Sequence, residues 1–405
     1  MLVSHVITRL IVGGAQENTI ATVLGLEAQS EFSVEILSGP TPADQPEGSI
    51  QHLVEKHDGL LHLIPDLVRP VAPWRDLKAL VSLWCHFRRR RPAIVHTHSG
   101  KAGILGRLAA WLAGVPVIVH SIHGPSFGSF QGKLANLVFQ TAERLAGRLT
   151  HSFIGVAEAM CQQYLKAGIG HREQYRVVFS GFDLAPFLHA ENSDTLRSKW
   201  GIGPDDFVVG KVGRLFRLKG HDDLFAIAPE LFRRVPQAKL MLVGGGEWRD
   251  RFERMAKDLG IADRILFTGL VPPRQVPELI GLMDVVVHLS RREGLPRVIP
   301  QALAAGKPVV AMDCDGAREA CLHGKHGFMV SPGDRDAVLN RVVELASDPV
   351  LRSKMGTTGR QFVEQHFSEA VMVDQIREIY RALLRERNLN WDEAPNSTAN
   401  TETIR

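Results

Sequence analysis

Residues 286–319 read VVHLSRREGLPRVIPQALAAGKPVVAMDCDGARE. An apolar strand over 285–289 runs into a polar loop, a short helix follows, then a second apolar strand over 308–311 and a loop of Asp and Gly. The first strand delivers Ser290, Arg291, Arg292 and Glu293 to its carboxyl edge, and Gly294 and Pro296 open the helix, since proline is favoured in a first helical turn. In a doubly wound α/β sheet this strand-to-helix crevice is where ligands bind. Free N–H groups at a helix start suit phosphate or sugar oxygens, among them those of Gly294 and Leu295. A carboxylate, Glu293, beside such a start is out of place in a purely phosphate-binding site. It fits a ligand that is part anion and part polyhydroxyl.

The first half of the chain repeats the strand–helix alternation. A buried-strand pattern over 2–7 leads to Gly13-Gly14 and a helical run to about residue 28. This local recipe admits two readings, a plain tight turn or a backbone approach to an anion. Strand-like runs recur at 32–38, 60–64, 93–97, 116–121, 153–156 and 175–178, separated by helical runs that include 74–90, 103–112, 133–145 and 158–167. Such alternation predicts a parallel sheet covered by helices on both faces. His96 and His98 follow one strand, His120 and His123 the next. Residues two apart share a strand face, so a metal pair at His96 and His98 is geometrically possible. No acidic or cysteine ligand accompanies them at a recognisable spacing, and a hydrogen-bonded structural role is the favoured reading. His123 sits with Gly124 in a loop facing the presumed cleft. Arg88–Arg91 offsets the carboxyl end of a helix dipole. The segment 133–148 carries Lys133, Arg144 and Arg148 among apolar residues; packing on the sheet is the expected arrangement, resting on a membrane surface the other.

Between 183 and 207 the apolar period breaks down, which marks a linker. The alternation restarts with a strand over 207–212 that ends in Gly213-Arg214-Leu215-Phe216-Arg217-Leu218-Lys219-Gly220. Gly213 permits close approach, Arg214 offers a planar fork and Lys219 a point charge, a set that suits a diphosphate. A strand over 239–243 leads to Gly244-Gly245-Gly246, but Arg249 stands where a dinucleotide-binding loop needs its third glycine, and no P-loop is present. Dehydrogenase and NTPase chemistry are therefore poorly supported. A strand over 265–267 continues to Gly269, Leu270 and Val271, an edge suited to backbone contact with a flat base. After a strand over 327–330 the chain is helical, its last amphipathic run covering about 368–387.

At 405 residues the chain should hold about two domains. Its 44% hydrophobic and 23% charged residues are ordinary for a globular protein. The +4 charge and pI near 8.9 fit anionic ligands or an anionic membrane surface, and fall short of a nucleic-acid-binding signature. Four unpaired-looking cysteines argue for a reducing compartment. The first residues, MLVSHVITRLIVGG, lack the pattern of a signal peptide, and no apolar run reaches the roughly 20 residues of a membrane span, so a cytoplasmic location is expected.

Taken together and in this order, Gly13-Gly14-Ala15-Gln16, VHTHSGKAGILGR (95–107), His123-Gly124, Ser180-Gly181-Phe182-Asp183, Gly213–Gly220 and Glu293-Gly294-Leu295-Pro296 resemble the retaining GT-B glycosyltransferases of family 4. The resemblance covers nearly the whole chain. It implies two Rossmann-like domains (1–188 for the acceptor, 189–366 for a nucleotide-sugar), a helix over 367–388 crossing back, and a disordered tail over 389–405. By the family's pattern Arg214 and Lys219 would hold the donor diphosphate, with Gly13, Gly14 and Gly213 close to it. Glu293 would hydrogen-bond the sugar's hydroxyls with help from the backbone N–H groups at Gly294 and Leu295, and His123 would sit near the sugar's reacting face; Pro296 and Val271 complete the expected donor-binding set. The resemblance further implies a UDP- or GDP-sugar donor, a glycan or lipid-linked acceptor, retention of configuration, and no metal or cofactor, because Arg214 and Lys219 take the metal's part. One position departs from the family: its Glu-x7-Glu signature has Gln301 in second place, which keeps a carbonyl acceptor for the ribose but loses the charge. Pro300, inside the helix, is expected to kink it. Two other readings stay open, an idle nucleotide-sugar-binding subunit and a nucleotide-sugar epimerase.

Overall fold

The computed structural model describes residues 1–41, 49–98, 100–128 and 131–389. The tail expected to be disordered lies, from residue 390 on, outside the described residues. The first sheet is built from β1 (Leu2–Ile7), β2 (Ser33–Ser38), β3 (Leu61–Leu63), β4 (Ile94–His98), β5 (Val117–Ile122), β6 (Ser152–Gly155) and β7 (Tyr175–Val177). The second contains β8 (Phe207–Val212), β9 (Ala238–Val243), β10 (Ile265–Gly269), β11 (Val285–His288), β12 (Val309–Met312) and β13 (Gly327–Val330). Each strand falls on a stretch whose short apolar run predicts it. Spatial orders are β3-β2-β1-β4-β5-β6-β7 and β10-β9-β8-β11-β12-β13, and every pairing is parallel. Parallel strands sandwiched between helices must be apolar on both faces, which explains the near-continuous Val, Ile and Leu of β11 and β12.

The two sheets are connected in more than sequence. Between β7 and β8 the expected irregular linker contains two short helices, Ala185–Leu188 and Asp194–Lys199. The last helix, Glu369–Glu386, follows the second sheet, yet its buried Met372, Val373, Ile376, Tyr380 and Leu384 share a core with Val3, Ile94, Val117 and Val119 of the first. Ser368 caps it, its hydroxyl accepting the Val371 N–H at 3.1 Å. Each buried side chain contributes about 1.5–3 kcal/mol relative to exposure, an upper figure because the unfolded chain is itself partly compact. The second lobe also caps a helix of the first: the Glu319 carboxylate accepts the N–H groups of Glu158 (2.6 Å) and Ala159 (2.9 Å), the opening of the helix Glu158–Lys166. An acceptor with negative charge at a helix start is favoured by both hydrogen bonding and the dipole.

Two expectations fail here for physical reasons. The helix expected to open at Gly294 and Pro296 begins only at Val298. Pro300 is therefore its third residue, where the missing N–H is one that no helix satisfies internally, so no kink is required. The helix Lys133–Gly147 does not lay its apolar stripe on the sheet: Leu134, Leu137, Val138 and Leu145 are exposed, while Glu143, Ala146 and Gly147 face inward. Glu143 is drawn in by Arg107, both fully buried and joined at 2.5 Å. Arg107 also donates to the Gly103 carbonyl (2.8 Å) and the Thr150 hydroxyl (3.4 Å). Bonds to each partner are what make a buried ion pair tolerable.

Candidate active site between the two sheets

In each sheet the strand order reverses once, between β1 and β4 and between β8 and β11. Loops leaving neighbouring strands at such a point diverge and open a crevice at their carboxyl ends. The loops that carry Gly13 and Gly14, His123, Gly213 to Lys219, and Glu293 to Pro296 leave β1, β5, β8 and β11 in turn; that of Val271 leaves β10. The structure thus gathers residues scattered over some 280 positions at two facing sheet edges.

On the second sheet, the loop after β8 and the loop after β11 are laced together. Lys219 donates to the Glu293 carboxylate through a short contact. The Arg291 N–H donates to the Leu218 carbonyl at 3.0 Å. Gly220 adopts φ 69°, and a Cβ there would lie 1.9 Å from the Leu289 carbonyl oxygen, so only glycine fits. Arg214, on the same loop, is exposed with its guanidinium over the Phe216 ring at 5.4 Å. Gly213 before it has φ 152° and open space where a side chain would be. Leu295 and Pro296 are buried, so what they offer a ligand is backbone. The Glu293 N–H itself is occupied, donating to Asp315 Oδ2 at 2.7 Å.

The first sheet supplies the opposite wall. A Cβ on Gly294 would lie 2.0 Å from the His123 carbonyl oxygen, so the Glu293 loop reaches the β5 loop with no room for a side chain. Arg292 donates to the Pro125 carbonyl at 3.0 Å. Arg297 pairs with Glu17, and a Cβ on Gly14 would come within 3.4 Å of the Arg297 side chain, which sets the Gly13–Gly14 loop against the second lobe. His123, Gly124 and Arg292 line a cavity of about 680 Å³ together with Thr8, Gln16 and Lys101. Burial, then the nearby Arg297 charge, pushes the His123 imidazole down to about 4, so it is neutral at pH 7.

Gln301 does not line that cavity. It lines a second hollow, with Glu17, Phe182, Asp183, Arg297 and Glu369. Val271 follows the edge strand β10 and packs against the core, half-buried beside exposed Leu270. His96 and His98 are buried and hydrogen-bonded, in keeping with a structural role.

Sequence reasoning missed a group beneath Glu293. Lys211 on β8 is 2% exposed, and burial, then the Lys219 charge, pushes its amine down to about 7. His288 on β11 comes within 4.0 Å of Glu293, and burial lowers its pKa too. The buried Nε2 of His288 and both ring nitrogens of His221 have no hydrogen-bond partner among the described residues. A lysine inside an otherwise apolar parallel strand was the available signal. Asp313-Cys314-Asp315 has the spacing of an acidic metal pair, a feature that the expectation of metal-free chemistry left out of account. Both carboxylates are engaged: Asp313 pairs with Arg318, and Asp315 accepts from Gln163 at 2.8 Å as well as from Glu293.

Residues 13–181 match the glycosyl transferase 4-like domain family, and residues 192–362 match the glycosyl transferases group 1 family. A UDP-Gal:alpha-D-GlcNAc-diphosphoundecaprenol alpha-1,3-galactosyltransferase of Escherichia coli is 30% identical, over 78% of this chain and 82% of its own. This chain is a GT-B glycosyltransferase of family 4. The transferase is also 25% identical to the capsular polysaccharide biosynthesis glycosyltransferase CapM of Staphylococcus aureus, over 83% of this chain and 88% of that one. Its fold matches that of Anabaena Alr3699/HepE, crystallised with UDP, with a TM-score of 0.79 at 24% identity over 94% and 100% of the two chains. No helix among the described residues is long and apolar enough to cross a membrane.

Proposed function

We propose that this transferase moves a hexosyl group from a UDP- or GDP-sugar to a glycan or lipid-linked acceptor with retention of configuration and without a metal, in polysaccharide or lipopolysaccharide assembly. The observation that carries the reading is the Lys219–Glu293 contact at the β8/β11 edge, beside Gly294, which abuts the His123 carbonyl. A cation and a carboxylate sharing one bond have the right chemistry to take the two ends of a sugar diphosphate. Lys219 exchanges Glu293 for a phosphate oxygen, and Glu293 accepts sugar hydroxyls. As the bond from the anomeric carbon to the phosphate oxygen breaks, positive charge grows on the ring and negative charge on the phosphate. Arg214 and Lys219 offset the latter, the kind of preorganised electrostatic stabilisation that accounts for most of the rate enhancement in many enzymes. The acceptor oxygen bonds the same face of that carbon, and its proton passes to the departing phosphate. The UDP in HepE, the UDP-galactose of the E. coli relative and the GDP-mannose of mycobacterial relatives that match over less than half of their length support these two donor classes.

A screen of UDP-, GDP- and ADP-sugars with polyprenyl-diphosphate-linked sugars as acceptors tests this. Nucleotide release with one uridine or guanosine donor, and an anomer of unchanged configuration in the product, are expected. Tight donor binding without turnover, with or without a partner protein, would favour an idle subunit; product without acceptor would favour an epimerase.

We also infer peripheral contact with the cytoplasmic face of a membrane. Leu134 (76% exposed), Leu137, Val138 and Leu145 form an outward stripe beside Lys133, Arg144 and Arg148. Apolar insertion flanked by cations is what an anionic lipid surface binds. Sedimentation with phosphatidylglycerol vesicles should recover the protein, and Leu134→Ser with Leu137→Ser and Val138→Ser should weaken binding by about tenfold or more, given the 1.5–3 kcal/mol that each fully buried side chain contributes. Equal recovery of both proteins would rule the contact out.

A further inference from the structure

A chain of buried side chains leads away from His123 and ends on the last helix. His123 Nε2 lies 3.2 Å from His98 Nδ1, and His98 Nε2 lies 3.0 Å from His5 Nδ1. His5 Nε2 faces the Tyr380 hydroxyl at 3.5 Å, which lies 2.6 Å from His96 Nδ1; His96 Nε2 is 2.8 Å from the Ser121 hydroxyl. His5, His96, His98 and Tyr380 are fully buried. Burial lowers the pKa of all four histidines and raises that of Tyr380, so near neutrality each ring carries one N–H and the phenol keeps its proton.

These counts allow the chain to run in only two directions. If Tyr380 gives its hydrogen to His96, then His96 donates to Ser121. His5 must meet the phenol oxygen with an N–H, since two lone pairs would otherwise face each other in a dry interior. That fixes His5 as the Nε2–H form, which makes His98 and then His123 donate through Nε2 as well. In the reverse direction all four rings carry the proton on Nδ1. The distances choose between them. A phenol donates well at 2.6 Å and hardly at 3.5 Å, so its hydrogen belongs to His96.

We propose that Tyr380, through His5 and His98, holds His123 as the Nε2–H tautomer, leaving Nδ1 as a hydrogen-bond acceptor in the cavity that His123 lines. Nδ1 has no hydrogen-bond partner among the described residues. Resting on the reading that a sugar occupies the cleft, this makes His123 selective for a group that donates, such as a sugar hydroxyl, over a carbonyl or carboxylate at the same place. Tyr380, His5 and His98 are positioning residues; none touches the ligand.

Long-range proton–nitrogen correlation spectra of the full chain labelled with nitrogen-15 in histidine report each ring's tautomer, with His123→Gln supplying the assignment. His123 is expected as the Nε2–H form. Tyr380→Phe, which removes one oxygen two rings away, should move the His123 nitrogen shifts toward those of a mixed population. Ser121→Ala, which removes the far acceptor, should move the His96 shifts and keeps the question open to measurement should Tyr380→Phe not fold. An Nδ1–H form of His123 in the unsubstituted protein, or His123 shifts indifferent to Tyr380→Phe, would overturn the proposal. No donor or activity enters this readout, so a failed donor screen and a failed tautomer assignment are distinguishable.

Discussion

Arg214→Ala is expected to lower kcat by about a hundred- to a thousandfold while leaving the folded protein intact. The reasoning starts from where the side chain sits. Its guanidinium lies over the Phe216 ring and makes no hydrogen bond among the described residues, and the residue is exposed. Removing it thus takes nothing from either core. The loop that carries it is held by other means: Gly213 at φ 152°, Gly220 against the Leu289 carbonyl, and the Leu215 N–H donating to the Gly245 carbonyl at 2.9 Å. On the function proposed, Arg214 would offer a fork of donors to a phosphate oxygen whose negative charge grows as the sugar–phosphate bond breaks. Losing one such donor typically costs about 2.7–4 kcal/mol of barrier height. The loss should fall on kcat more than on KM, because the interaction strengthens in the transition state. Arg214→Lys should recover part of the rate, since a point charge replaces the fork without its paired geometry. Steady-state nucleotide release alongside a thermal melt checks both halves of the prediction. A rate equal to that of the parent enzyme removes Arg214 from the site.

How much of this was legible in the sequence depends on the range of the interaction that decides it. The strands are short apolar runs whose burial on two faces is written into every residue, and they appear where the pattern places them. Lys219 and Glu293 were legible because each follows a strand, and because β8 and β11 are neighbours in any sheet of this winding. The start of the helix at Val298 was not. Gly294 is held against the His123 carbonyl, and that contact with the other lobe keeps residues 294–297 out of the helix. The orientation of the helix Lys133–Gly147 was also hidden, because an amphipathic stripe does not say which face meets protein. The buried Arg107–Glu143 pair decides that, and it joins residues 36 positions apart. The histidine chain was half visible: His96 and His98 stood out, but His5 and Tyr380 enter it from the two ends of the chain.

Lys211→Met is expected to stabilise the protein at neutral pH by several kcal/mol and to flatten its pH dependence. Lys211 lies on β8, 2% exposed, and its amine is pushed down from 10.5 to about 7 by burial first and by the Lys219 charge second, with Glu293 pulling the other way. Below pH 7 the amine is charged in both the folded and the unfolded chain, and the cost of burying that charge is carried in full. Above about 10.5 it is neutral in both. Between these limits the unfolded chain holds a proton that the folded chain has released, so stability rises with pH across the window. A shift of this size corresponds to about 4–5 kcal/mol, at roughly 1.4 kcal/mol per unit. Cys314, whose thiol burial pushes up from 9.0 to about 12, keeps its proton in the folded chain where the unfolded chain loses it above about pH 9; that opposing slope is common to both proteins and leaves their difference to Lys211. Methionine keeps the unbranched shape and cannot be charged, so the variant lacks both the cost and the slope. Urea unfolding of the two proteins at several values between pH 6.5 and 10 should therefore give curves that converge as pH rises; parallel curves would show that the amine is solvated and ordinary. A strand that carries such a penalty next to Lys219 and Glu293 is what a site under functional constraint looks like, since packing alone would put an apolar residue there. On that argument the stabilised variant should also be the less active one, because Lys219 and Glu293 would lose the polar side chain buried beneath them.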